Sequence, residues 1–138
     1  MSRVSTLPEI LVPLMDGPSV EAPRCAVCGR PAPLNRHHIV RRGAGRLYRG
    51  GVEVPKPTIV LCGMGNLLAD ADGRPYCHGL AHAGRLHFRW VPVSGRGARP
   101  HAFGSGHWEY ILLPEPTSYL NALEMGGWRQ LRRWRDAR

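Results

Sequence analysis

The chain has 138 residues, room for one domain with extensions but not for two ordinary domains with full cores. Its apolar fraction of 43% argues against a disordered chain, while 17 glycines and 13 prolines make it rich in loops. The formal charge of +9 rests almost wholly on arginine, Lys56 being the only lysine, and points to a polyanionic partner with nucleic acid first.

Residues 1 to about 22 read as a proline-punctuated extension. Within it LPEILVPLM has the length of a signal core, but Glu9 and two prolines interrupt it, so it reads as a packing arm. No run of about 18 apolar residues exists to span a membrane. A cytoplasmic setting is expected, and in a reducing compartment four cysteines serve more often as metal ligands than as two disulfides.

From Arg24 to Arg49 the chain holds seven arginines and no acidic residue. This block is the candidate phosphate-facing surface, with Arg36, Arg41, Arg42 and Arg46 as its contacts. Within it, Cys25-Ala-Val-Cys28-Gly29 reads as a tight knuckle, and HHIV at 37–40 as a short strand entering the Gly-rich turn RRGAGR. After a loop containing Gly50 and Gly51, the β-branched run from Pro57 to Cys62 predicts a second strand. GMGNLLADADGRPY reads as an irregular excursion, and Cys77 to Gly84 as two turns of helix stopped at Gly84.

Leu86 to Val91 alternates and predicts a further strand, with another extended segment at GSGHWEYILLP. The tail from about Thr117 reads as helical, capped by Thr117 or Ser118 and broken at Gly126-Gly127. Its expected buried stripe is Tyr119, Leu120, Leu123, Trp128, Leu131 and Trp134, with Arg129, Arg132, Arg133 and Arg135 on a solvated face.

Two sets of metal-ligating residues emerge. Cys25, Cys28, Cys62 and Cys77 combine a CxxC knuckle with two more thiols, the donor set of a structural zinc, and a small loop-rich domain gains from such a staple. His78 and His82 stand at i and i+4, so on a helix both imidazoles leave one face and can grip a single ion. Gly79 between them costs that helix about 1 kcal/mol relative to alanine.

HHIV, a Gly-rich turn, the strand TIVLC and then CHGLAH together resemble the zinc-stapled HNH nucleases, also called His-Me finger or ββα-metal nucleases. The resemblance covers about residues 24–90, and phage-encoded members look nearest. It implies an α+β fold: a small ββα-metal core at 23–92 braced by a four-cysteine zinc site, between extensions at 1–22 and 93–138. It also implies a DNA endonuclease in which His38 is the general base and His37, His78 and His82 hold one catalytic divalent ion. That ion would be Mg, Mn, Ni, Co or Zn, and nitrogen-rich ligation makes magnesium the least natural of these. Duplex DNA is the implied partner, with phage packaging proteins a further one in a bacterial host.

The resemblance has two departures. The family usually places asparagine four residues before the third cysteine to orient the base; here that position is Thr58, and Asn66 in the excursion is the alternative. The gap before Cys77 is also longer than the common closure. A non-catalytic zinc-finger DNA-binding module is the competing reading, and an RNA-binding or RNA-cleaving protein a further one, suggested by RLHFRW. His87, His101 and His107 match no motif position and read as structural or surface residues.

Overall fold

β-Branched residues suit a pleated surface, and the run Thr58–Cys62 forms the strand, β4, around which one half of the protein is built. The computed structural model describes residues 12–15, 17–40, 46–49, 51–92 and 106–131. In chain order the elements are α1 (Val12–Met15), β1 (Leu34–His38), β2 (Leu47–Arg49), β3 (Val52–Val54), β4 (Thr58–Cys62), α2 (Cys77–His82), β5 (Leu86–Pro92), β6 (Gly106–Leu112), α3 (Tyr119–Leu123) and β7 (Arg129–Gln130). The fold is mixed α+β, with antiparallel sheets and short helices. No helix among the described residues is long and apolar enough to cross a membrane.

β1 pairs antiparallel with β4, setting His37 opposite Ile59 and His38 opposite Thr58. The other edge of β4 is covered by the N-terminal segment, where Val20 N donates to Thr58 O and Ala26 N to Val60 O. With both edges occupied, Ile59, Leu61 and Cys62 are completely buried. The strand expected at HHIV therefore begins earlier, at Leu34, and ends at His38; the chain bends at Ile39 and Val40.

Helix α2 follows the expected span, and the turn after it closes through the Arg85 N to Leu80 O bond and Gly84, whose φ of 75° suits a residue without a side chain. β5 and β6 pair along seven residues, and β7 joins the free edge of β6. Their inward rows bury Leu86, Phe88, Trp90 and Trp108 against Ile59, Leu61 and Leu80. Trp90 and Trp108 pack edge to face at 5.4 Å, and Gly17 lies so close to both that a side chain there would overlap them.

Two expectations need correction. The segment around Gly50-Gly51 is not merely a loop, because β2 and β3 pair around it and Leu47 is buried beside Met15 and Val40. The C-terminal tail is not a long amphipathic helix. α3 has five residues, capped by Ser118, whose side chain accepts from Asn121 N. The chain then turns and Arg129–Gln130 continue as strand, since pairing with β6 satisfies their backbone groups where a helix would leave the edge of β6 open. The buried residue of α3 is Ala122, while Leu120 is 57% exposed. Trp134, Arg132, Arg133 and Arg135 lie outside the described residues.

Gly79 explains its own presence in α2: a Cβ there would overlap the Leu67 carbonyl oxygen and stand 2.8 Å from Leu68 Cα. Gly79→Ala is therefore expected to lose about 1–3 kcal/mol to overpacking, reversing the gain of about 1 kcal/mol that helix propensity alone assigns to alanine. Denaturant midpoints of the two proteins measure the sign.

Candidate metal centres

Cys25 and Cys28 lie on the turn that precedes β1. Gly29 N donates back to Cys25 O, and Gly29 adopts a φ of 79°, which closes the knuckle. Cys62 ends β4 and Cys77 begins α2. The Sγ atoms of all four lie within 4.8 Å of one another, and none is in a disulfide. Four sulfurs about 2.3 Å from one tetrahedral zinc stand about 3.8 Å apart; Cys28 and Cys62 are at 3.6 Å.

Their acid–base behaviour fits the same ion. Cys25 is driven far below the ordinary thiol range, first by a hydrogen bond from Cys62 and then by one from Cys77. That bond to Cys25 is the leading reason that Cys62 is pushed up to about 11, and Cys77 is raised by Cys25 and then Cys62. A divalent ion would let all four act as thiolates.

The long gap before Cys77 is bridged by a folded excursion. Asp70 Oδ1 accepts from the backbone N–H of Asp72 and Arg74, and Asp70 Oδ2 accepts from Arg30 at 2.7 Å. Arg30 also lies over the ring of Tyr76, at 4.7 Å from its centre. One arginine beside the knuckle therefore ties down the loop that returns the chain to Cys77.

The second centre joins β1 to α2. His37, His78 and His82 each offer a ring nitrogen, and these atoms lie within 4.8 Å of one another. His78 Nε2 and His82 Nε2 are 3.0 Å apart. Two nitrogens that share an ion at about 2.0–2.1 Å, with an angle near 90–110°, are separated by about 2.9–3.4 Å. Phe88 stands behind His37, with ring centres 6.4 Å apart.

Asn35, which sequence reasoning did not single out, orients this cluster. Its Oδ1 accepts from Gly65 N and lies 3.1 Å from His78 Nδ1. A carbonyl oxygen only accepts, so Nδ1 is the protonated nitrogen of His78 and the Nε2 lone pair faces His82. Burial first, and then the neighbouring His82, hold the pKa of His78 below its ordinary value, which keeps it in the neutral form that binds metal. The signal for Asn35 was alternation: two residues before His37, it shares that strand face.

His38 lies beyond His37 at the end of β1 and, with His37, His78 and His82, lines a cavity of about 830 Å3. Thr58 faces His38 across the strands, but its hydroxyl accepts from Arg36 at 2.9 Å. Asn66 is exposed and is not part of the cavity wall. Arg36 lines the cavity while holding both oxygens of Glu21 at 2.8 Å, and Arg46 pairs with Glu53 at 3.7 Å. Both pairs are exposed, so each contributes little to stability. Arg41, Arg42 and His101 lie outside the described residues. His87 Nε2 sits within 2.9 Å of the carbonyls of Gly84 and Thr117, and His107 faces Glu109 at 3.3 Å.

Comparison with family models, with curated proteins and with solved structures returns no match for this chain.

Cys77→Ser is expected to release the ion of the sulfur cage and much of the fold with it, whereas His78→Ala should keep that ion; metal analysis of the purified proteins measures both. Asn35→Leu should weaken divalent-metal binding at the imidazole cluster by about 10–100-fold while the cage stays loaded, as calorimetric titration with Ni or Co would record.

Proposed function

We propose that this chain is a metal-dependent endonuclease of the HNH type, acting on DNA phosphodiester bonds. The observation that carries the reading is the convergence of ring nitrogens from His37 on one strand and His78 and His82 on the helix, with His38 on the wall of the same cavity. On this reading β1, β4 and α2 are the strands and helix of a ββα-metal core, and the cysteine cage holds a structural zinc. His37, His78 and His82 would hold one divalent ion, for which three imidazoles favour the later first-row metals over magnesium. When bound, that ion supplies Lewis-acid stabilisation of charge on the phosphate and the departing oxygen.

His38 accepts the proton of the attacking water, since imidazole is the side chain that exchanges protons near neutral pH. The water oxygen forms the new bond to phosphorus, and the bond from phosphorus to the 3′ oxygen breaks. The products are a 5′-phosphate and a 3′-hydroxyl, the latter taking up a proton. Arg36 exchanges Glu21 for a backbone phosphate and so holds the strand beside His38. Asn35 keeps the His78 ring turned toward the cluster through the bond at Nδ1.

Supercoiled plasmid treated with a panel of divalent metals is the test. The wild-type protein should nick it, and His38→Ala should lose about 10²-fold or more in rate while still binding DNA. Equal nicking by His38→Ala would remove it as the base. Binding without nicking under every metal would leave a zinc-finger DNA-binding module in place of an enzyme.

A further inference from the structure

The turn that follows β4 exposes large apolar side chains: Met64 is 55%, Leu67 56% and Leu68 48% exposed. The backbone beneath them is tied down. Gly63 N donates to Pro33 O, Gly65 N to Asn35 Oδ1, Leu67 N to Met64 O and Tyr76 N to Leu68 O, all within 3.1 Å. Helix α2 abuts the same turn, because Gly79 leaves no room for a side chain against the Leu67 carbonyl. Exposed apolar residues gathered on a fixed backbone mark a contact surface more readily than a solvated loop does.

The turn also touches the imidazole cluster. A Cβ on Gly63 would lie 2.5 Å from His78 Cβ, and Gly65 is bonded to Asn35, which in turn is bonded to His78. Met64 sits between those two glycines. The turn thus packs against the Cβ and Nδ1 side of His78, beside the cavity that the histidines line, although Met64, Leu67 and Leu68 are not part of that cavity's wall.

We propose that Met64, Leu67 and Leu68 form a wedge that enters between base steps of the duplex whose phosphate lies at the imidazole cluster. The inference rests on the nuclease reading above. A nucleic acid fits better than a protein partner on two grounds. The net charge of +9 draws a polyanion. Three side chains within five residues also supply only part of the roughly 1,000 Å2 that a specific protein interface requires. Apolar side chains inserted at a base step unstack it and kink the duplex, and such a kink would turn the scissile phosphate toward the concave site.

The test uses the full chain with its zinc and the double variant Met64→Ser/Leu67→Ser, whose altered side chains are exposed; zinc content and thermal melting confirm its fold. Short duplexes carry the fluorescent base aminopurine at successive positions, and binding, fluorescence and nicking are recorded together at low salt. The wild-type protein should raise the fluorescence at a step beside the nick, while the variant should bind on the order of tenfold more weakly and give no rise. A fluorescence rise preserved in the variant, or wild-type binding with no rise at any position, overturns the wedge. Nicking by the wild type with an unchanged variant overturns the wedge and leaves the nuclease standing. A wild-type protein that neither binds nor nicks duplex DNA overturns both.

Discussion

Cys77 and His78 are consecutive residues at the start of α2, so one peptide unit links the sulfur cage to the imidazole cluster. A helix of six residues without a side-chain N-cap has no independent stability in water. It is held in place from outside: Leu80 and Ala81 are buried in the core, Gly79 lies against the Leu67 carbonyl, and Cys77 lies among the other sulfurs. The placement of both helix imidazoles thus depends on a thiol cluster to which they contribute no ligand. Loosening the cage would let the helix drift, and the approach of His78 and His82 to His37, with ring centres at 5.2 and 5.5 Å, would go with it.

The same dependence explains why a polar network surrounds the cage. Arg30, beside the knuckle, is fixed to Asp70 and stacked on Tyr76, the residue that precedes Cys77. A single guanidinium therefore shapes the excursion that leads the chain to the last cysteine. The β5–β6 sheet adds Phe88, Trp90 and Trp108, the bulkiest apolar side chains of the core that the cysteines also join. β1, paired with β4, carries Asn35 and His37 half-buried on one face and Arg36 exposed on the other. Alternation along one five-residue strand thus sets His37 among the helix imidazoles and leaves the Arg36 guanidinium exposed on the wall of the same cavity.

Much of this was legible from local patterns. The strand at 58–62, the helix at 77–82 and the strand at 86–92 appear where β-branching, the i to i+4 histidines and the alternation of LHFRWV placed them. Both candidate ligand sets also come together in space. The hairpin of β2 and β3 escaped notice although the paired glycines between LYR and VEV are a hairpin signal. The tail misled for a different reason: its apolar spacing suited a helix, yet the free edge of β6 captured Arg129 and Gln130. Asn35 stands outside the family spacing, which points to Thr58 or Asn66 as the orienting residue, and only the fold brings Gly65 and His78 to the same side-chain oxygen.

Residue chemistry by itself determined which groups can bind metal, that thiols and imidazoles form separate donor sets, and that the chain carries excess positive charge. These are properties of side chains and of short spacings, which survive any arrangement of the rest. The tertiary structure decided which amide orients His78, how a fourteen-residue gap still delivers Cys77 to Cys62, and which arginines already hold carboxylates. Each of those depends on contacts between residues far apart in the chain, whose geometry is set by strand register and by the close approach of a loop to a glycine in a helix. No local rule of spacing contains that information.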